Sequence, residues 1–235
     1  MRRDRAEKGE RLFSAADLVS IIDAAGVAMK AMALLGVNCG LGNSDCGQLK
    51  FRHLDLANGW LNFPRPKTAI ARKCKLWGET VEAIKAAIAK RPAPKSDDHA
   101  DLVFITKYGF PWANDTPSSP VGHEFRKLLD DEKLYRPGLS FYSLRRVFET
   151  VAGGTRDQVA VDFAMGHADP SMGAVYRERI GDDRLEAVAE HVRQWLYGKP
   201  DSKDKAKPAS KQKPKSKRAN SKPEAERRPA LRIVG

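Results

Sequence analysis

The sequence predicts an α+β fold that is mainly helical, with one small antiparallel sheet of three strands. Apolar residues recur at helical spacing over most of the first 197 residues. Residues 54–76 differ, because they form short apolar runs bounded by turn residues, with Asn58-Gly59 as a strong hairpin signal. Hydrophobic residues make up 41% of the chain, which is enough for a sizeable core.

Helices are predicted on the N-terminal side of the sheet. Ser14 and Asp17 have the spacing of a capping box and open the first helix. Residues 27–35, rich in Ala, Met and Leu, form a second helix that is buried on most sides. A glycine-rich turn at 40–44 then leads to a short helix at 45–49.

The predicted sheet consists of strands at 54–56, 60–63 and 72–76, and Lys67 falls in the second connection. An amphipathic helix at 80–90 follows the sheet. Residues 102–105 are predicted as a further small strand.

The C-terminal part is predicted to be helical again. The helices cover residues 121–131, residues 141–148 with Ser140 as N-cap, residues 159–165 with Gly166 as the terminating residue, and residues 185–196. The last helix carries an apolar stripe from Leu185 to Leu196. This stripe either packs onto its own domain or docks on a second copy of the chain in a homo-oligomer.

The formal charge of +12 and a pI near 9.7 indicate a polyanionic partner. Residues 198–235 hold thirteen Lys and Arg against four Asp and Glu, a net of +9, so residues 1–197 carry only +3. We therefore divide the chain into a basic lead-in at 1–11, a folded domain at 12–197 and a disordered, Lys/Pro-rich basic tail at 198–235.

Several classes of site and location are excluded. The sequence has no apolar run long enough for a bilayer and no signal-peptide core after Met1, which predicts a cytoplasmic protein without membrane contact. Cys39, Cys46 and Cys74 lack Cys-x-x-Cys spacing and are expected to be reduced core thiols rather than zinc ligands. The turn at 40–44 lacks the Lys-Ser/Thr of a phosphate-binding loop, so no nucleotide cofactor is expected.

One stretch, residues 139–179, concentrates side chains suited to phosphate chemistry. Arg145 lies on a predicted helix beside its buried face, and His167 directly follows the helix end at Gly166. Tyr176 comes nine residues after His167 and precedes Arg177. Cations that contact phosphate oxygens and a nucleophile held in line are what a phosphodiester displacement requires.

The segments Tyr142-Ser-Leu-Arg145, Gly166-His167 and Val-Tyr176-Arg resemble the tyrosine recombinases, the phage-integrase family. That family's C-terminal block carries a His-x-x-Arg box, a Gly-His and a nucleophilic tyrosine about nine residues later. The resemblance covers about residues 12–197 and implies the family's catalytic domain, acting on double-stranded DNA in association with the nucleoid. It also implies a phosphotyrosyl link and a free 5′ hydroxyl, formed without a metal or other cofactor.

The resemblance also implies roles for single residues. Tyr176 is the nucleophile, and Arg145 is one of two phosphate clamps. His167 hydrogen-bonds the phosphate or positions the tyrosine. Lys67 matches the general-acid lysine, with a solvated loop lysine as the alternative, and Tyr142 stands in place of the histidine that starts the box.

The chain departs from the family pattern at Gly42, which occupies the position of the first clamping arginine. Loss of one such electrostatic donor commonly costs about 3 to 4 kcal/mol of transition-state stabilisation, so the active site is degenerate. Asn43 or the backbone N–H groups of the turn are candidates to supply part of the lost stabilisation. Two functions stay open: a site-specific recombinase that cleaves and rejoins DNA, and a catalytically silent DNA-binding relative. A third possible function is that of an RNA- or ribosome-associated protein that binds mainly through its basic tail.

Overall fold

The computed structural model describes residues 11–113, 119–169 and 171–198, and its fold is mainly helical with one small sheet. The α-helices are α1 (Ala15–Ala24), α2 (Val27–Cys39), α3 (Asn43–Gly47), α4 (Gly78–Ala89), α5 (Pro120–Asp131), α6 (Tyr142–Ala152), α7 (Gln158–Met165), α8 (Met172–Tyr176) and α9 (Asp182–Tyr197). Single 3₁₀ turns occupy Phe51–His53, Asp97–His99 and Gly153–Thr155.

The sheet consists of β1 (Leu54–Asp55), β2 (Trp60–Asn62) and β3 (Lys73–Lys75), paired antiparallel in the order β1-β2-β3. Trp60 lies opposite Asp55 on one side and Lys75 on the other. Gly59 has φ +68°, which suits glycine in the tight turn between β1 and β2. The predicted fold class, including the three-stranded antiparallel sheet, is confirmed.

Helix α2 forms the centre of the core, since ten of its thirteen residues are buried. It packs against α4 and α6. A Cβ on Gly36 would lie 2.9 Å from Cδ1 of Leu144, so this glycine lets α2 and α6 approach closely. The close approach places Arg145, the next residue of α6, beside the C-terminal end of α2.

Helix α9 covers the core from the other side, in contact with α1, α6 and β3. Its apolar face is buried, and the indole N–H of Trp77 donates to the carbonyl of Ala189 at 2.8 Å. Ion pairs from Lys73 to Asp182 and from Arg193 to Glu79 hold the helix in place. The predicted stripe therefore packs onto its own domain.

Two local predictions were wrong. Residues 102–105 form no strand, because only isolated bridges, Lys50 to Leu102 and Ile105 to Pro111, occur there. The four residues are buried, and a short buried apolar run has no periodicity that separates a strand from irregular structure. Ser140 is not the N-cap of α6, since the cap is Phe141 and the N–H of Ser140 donates to Oγ of Ser143.

Helix boundaries differ from the predictions by a few residues elsewhere. Helix α2 continues to Cys39 rather than residue 35, because Gly36 is tolerated inside it, and α3 begins at Asn43 rather than residue 45. The predicted lead-in apart from Arg11 and the tail from residue 199 lie outside the described residues. Within the described residues, no helix has the length and apolarity to cross a membrane.

The three cysteines are buried and unbridged, as expected. Burial raises the pKa of the Cys39 and Cys46 thiols, so both stay protonated and unreactive near neutral pH. Their role is to pack the core.

Candidate active site

Arg145 is the fixed point of the candidate site. Its side chain is buried, with Nη1 donating to the carbonyl of Gly40 at 2.5 Å and Nη2 to that of Met165 at 2.8 Å. Both carbonyls lie at helix C-terminal ends, those of α2 and α7, where backbone oxygens lack intrahelical donors and the helix dipole is negative. One guanidinium therefore satisfies two helix ends.

Two left-handed glycines make this convergence possible. Gly40, with φ +63°, ends α2, and Gly166, with φ +64°, ends α7. A Cβ on Gly40 would lie 2.5 Å from Sδ of Met165 and 3.0 Å from Cδ1 of Phe148. The end of α2 therefore packs directly on α6 and α7, and its last carbonyl comes within reach of Arg145.

The guanidinium of Arg145 keeps capacity for a ligand. Burial lowers its pKa, and the positive charges of Arg65 and Arg72 lower it further against the opposing effect of Asp45. The Arg145 guanidinium still remains charged at neutral pH. Among the described residues its Nε–H and one Nη1 hydrogen have no partner, and both are available to an anion.

The imidazole of His167 contacts the guanidinium of Arg145. Its Nε2 lies 3.0 Å from Nη2 of Arg145, and its Nδ1 lies 3.3 Å from Oδ1 of Asp162. These contacts assign the ring proton to Nδ1, so that Nε2 accepts from the guanidinium. Both ring nitrogens are then engaged, and His167 orients Arg145 in this geometry.

Glu149, Asp162 and His167 form a group whose ligand atoms all lie within 4.8 Å of one another. Such a set has the donor types of a divalent cation site. All three side chains are partly exposed, however, and Nδ1 of His167 already faces the carboxylates. We therefore assign the group to holding the imidazole ring.

A cleft of about 590 Å³ opens over Arg145. It is lined by Gly42, Asn43, Ser44, Asp45, Gln48, Arg65, Pro66, Lys67, Trp112, Ala113, Ser119, Pro120, Tyr142 and Arg145. Three of the predicted site residues, Arg145, Lys67 and Tyr142, thus come together around one space. Its cationic lining suits an anionic ligand.

Lys67 reaches the cleft from the turn between β2 and β3. Its side chain is exposed, and the ammonium has no ion pair or hydrogen bond among the described residues. A lysine without a partner beside a buried arginine is free to interact with a ligand in the cleft.

The start of α3 differs from the Arg145 and Lys67 sides of the cleft. The position of the family's first clamping arginine is here Gly42, which has no cationic side chain. Gly42 has φ −92°, and its N–H donates to Oδ2 of Asp45 at 2.9 Å. The same carboxylate oxygen accepts from Nη1 of the buried Arg72 at 3.1 Å. Asn43 donates from Nδ2 to Oγ of Ser119 at 3.0 Å, so one of its two amide hydrogens is engaged.

Tyr142 is the first residue of α6 and is 47% exposed at the edge of the cleft. The guanidinium of Arg146 lies over its ring, 5.4 Å from the centroid. This contact orients the phenol with a cation beside it.

Tyr176 lies apart from this group. It is the last residue of α8, is 79% exposed and does not line the cleft. An ion pair from Nη1 of Arg177 to Oδ2 of Asp169, at 2.9 Å, ties the segment on both sides of α8 together. The structure thus brings the cations together and leaves the predicted nucleophile on an exposed helix.

Sequence reasoning missed two arginines near the site. Arg65 lines the cleft, and Arg72 is buried against Asp45 with its Nη2 unpartnered among the described residues. Arg65 could have been found, since it lies two residues before Lys67 in a turn already singled out. Arg72 gave no such signal, because a charged residue at a strand end is usually exposed.

Solved structures of several recombinases have a similar fold. The Tn1549 transposon integrase, in complex with a circular intermediate DNA, shares 19% identity at a TM-score of 0.57, over 77% of this chain and 66% of that one. XerA recombinase gives 19% and 0.57, over 78% and 66%. The integrase from mycobacterium phage Brujita gives 21% and 0.58, over 80% and 60%. This chain therefore spans less than two thirds of the length of these proteins.

A comparison with curated proteins gave no match. The sequence does match a family model, described as the phage integrase family, over residues 5–180. This match includes every residue of the cleft and both Arg145 and Tyr176. It covers well over half of the sequence and agrees with the fold, so the chain belongs to the phage integrase family of tyrosine recombinases.

Proposed function

We propose that this chain cleaves and rejoins double-stranded DNA through a phosphotyrosyl intermediate formed at Tyr176. The family and fold are those of integrase-type DNA recombination. The proposal rests on the cleft in which the buried Arg145 and Lys67, which has no partner among the described residues, face one space. Catalysis of phosphoryl transfer depends on this kind of preorganised positive charge.

Each step uses groups of the chain itself. Oη of Tyr176 gives its proton to water as it attacks the phosphorus, and its new P–O bond replaces the bond to the 5′ oxygen. The free N–H groups of Arg145 stabilise the negative charge on the non-bridging oxygens. Lys67 protonates the leaving 5′ oxygen, and the reverse reaction regenerates the phosphodiester because the phosphotyrosyl bond conserves its energy.

His167 acts through Arg145 in this proposal. Its Nε2 and the two carbonyls fix the guanidinium before DNA binds, so that little reorganisation is needed during the reaction. Tyr142 contributes a phenol donor at the edge of the same cleft.

The second candidate, a catalytically silent DNA-binding protein, rests on specific observations. Tyr176 is 79% exposed and outside the cleft, and Gly42 leaves a clamping position without a side chain. In the active alternative, α8 must shift toward the cleft when DNA binds. Short exposed helices with few buried contacts are the elements that move at low cost.

DNA binding involves further parts of the chain. The Lys-rich sequence after residue 198 adds phosphate contacts that do not depend on base sequence and keeps the protein associated with DNA in the nucleoid. A second copy on the same DNA has to dock through a surface other than the apolar face of α9, since that face is buried in its own domain.

The test is covalent capture on a pool of nicked duplexes with randomised cores, in which cleavage releases a short strand and traps the protein. We expect a phosphotyrosyl adduct with the parent protein on a denaturing gel and none with Tyr176→Phe. Tyr108→Phe is the matched control, because Tyr108 is 65% exposed and lies outside the cleft. It should form the adduct as the parent does.

Two results decide between the candidates. An adduct that persists in Tyr176→Phe assigns the nucleophile to another residue. Retained binding of the duplex pool without an adduct in any variant supports the silent DNA-binding protein.

A further inference from the structure

Arg65 is anchored at the base of the turn that carries Lys67. Its N–H donates to the carbonyl of Ile70 at 2.9 Å, and its own carbonyl accepts from the N–H groups of Thr68 and Ala69 at 3.1 and 2.8 Å. Three backbone hydrogen bonds therefore fix the point from which its side chain starts. The side chain lines the cleft beside Lys67.

The side chain of Arg65 runs along the turn that holds Arg145. A Cβ on Gly166 would lie 3.3 Å from Cβ of Arg65 and 3.6 Å from its Cδ. Met165 and His167, the neighbours of Gly166, both contact the guanidinium of Arg145. The positive charge of Arg65 also lowers the pKa of Arg145, which indicates that the two charges interact.

The charge of Arg65 is not compensated within the described residues. Arg72 pairs with Asp45, and Arg145 is bound by two carbonyls and an imidazole. The guanidinium of Arg65 has neither an ion pair nor a hydrogen bond there. Like charges held near each other without a counter-ion repel, so an anion in the cleft would relieve this repulsion.

Open space beside Gly42 is available to such an anion. Among the described residues, only Oδ2 of Asp45, at 3.7 Å, lies within 4 Å of the position of a Cβ on Gly42. Within the part of the chain that the structure describes, the start of α3 therefore leaves space for an anion but provides no cation, and the turn between β2 and β3 provides the unpaired guanidinium of Arg65.

We propose that Arg65 is a second phosphate clamp, which together with Arg145 binds the two non-bridging oxygens of the scissile phosphodiester. This inference rests on the proposed function of the cleft. A guanidinium binds two oxygens through a planar fork, so Arg65 supplies the charge that Gly42 does not.

The first test is Arg65→Gln in the full-length protein. Glutamine keeps the Cβ, Cγ and Cδ atoms that pack along Gly166 and removes the charge. We expect single-turnover cleavage of the nicked duplex to fall by about 10²- to 10³-fold, the usual loss for one electrostatic donor, with a smaller change in DNA affinity. Arg52→Gln is the matched control, since Arg52 is exposed and does not line the cleft.

The second test asks whether positions 42 and 65 serve one anion. Gly42 has φ −92°, so arginine is accommodated there without left-handed strain. Gly42→Arg should restore at least tenfold of the lost rate in the Arg65→Gln protein. Cleavage by Arg65→Gln at the parent rate, or an equal loss in Arg52→Gln, overturns the inference.

A third measurement separates this inference from the proposed function. Inorganic phosphate is titrated while the side-chain Nε–Hε signals of Arg65 and Arg145 are followed by NMR. If both signals shift together in the parent, and Arg145 shifts less in Arg65→Gln, the shared clamp stands even when no covalent adduct forms. If phosphate shifts only Arg145, or neither signal, the inference is overturned.

Discussion

The two ends of the candidate site, around Arg145 and around Tyr176, are built in opposite ways. Arg145 is buried and bound by two helix carbonyls and an imidazole, whereas Tyr176 is 79% exposed on a helix of five residues. Met172 and Val175 of the same helix are also largely exposed. One part of the candidate site belongs to the core, and the other part is attached to the core by a short segment.

Burial fixes the charges around Arg145 in advance, whereas the exposed helix leaves the position of Tyr176 open to control. The charges that stabilise a phosphate are most effective when they are fixed in advance. A nucleophile on a weakly packed helix can instead be kept away from the phosphate until DNA or another copy positions it. Substitutions around Arg145 should therefore change the stability of the fold more than substitutions around Tyr176.

Replacing Arg145 should destabilise the fold, and replacing Tyr176 should not. Arg145→Met leaves the carbonyls of Gly40 and Met165 buried without donors, at about 1–3 kcal/mol each, so we expect a loss of roughly 2–6 kcal/mol. Tyr176→Phe removes an exposed hydroxyl and should stay within about 0.5 kcal/mol of the parent. Urea unfolding measures both. Equal stability of Arg145→Met and the parent would mean that the network does not support the core.

Glycine-to-alanine substitutions should have opposite signs in the two regions. Gly40→Ala combines a left-handed φ of +63° with a Cβ only 2.5 Å from Sδ of Met165, and should cost about 2 kcal/mol or more. Gly173→Ala, inside α8, meets no atom closer than 3.6 Å and should be neutral or stabilising by up to about 1 kcal/mol. Thermal unfolding compares the two, and a loss at Gly173 would show that α8 is packed more tightly than its exposure indicates.

Acid should release the α8 segment without affecting the Arg145 bonds to carbonyls. Hydrogen bonds from Ser171 and the ion pair with Arg177 lower the pKa of Asp169 to about 2 from an ordinary 3.8. A lowered pKa stabilises the folded form above about pH 4, and this contribution is lost as the pH falls through about 2. The amide signals of α8 should therefore change over that interval, and should change less in Asp169→Asn, in which the contact no longer titrates.

The elements of the fold were largely predictable because their signals are local. The capping box of Ser14 and Asp17 and the Asn58-Gly59 turn each act within a few residues, and the structure has both. The prediction of a strand at residues 102–105 was wrong because the burial of these residues comes from distant contacts, which sequence periodicity does not reflect. The family resemblance likewise led to Arg145, Lys67 and Tyr142, which share the cleft.

The sequence by itself determined the family, the sheet and the identity of most charged groups of the site, because these depend on residue type and short spacing. Only the tertiary structure decided that Arg145 joins the ends of α2 and α7, that Arg65 has no partner among the described residues and that Tyr176 lies outside the cleft. These facts depend on contacts between residues 20 to more than 100 positions apart. Such contacts form when helices pack, and packing follows from the shape and volume of the whole core rather than from any local pattern.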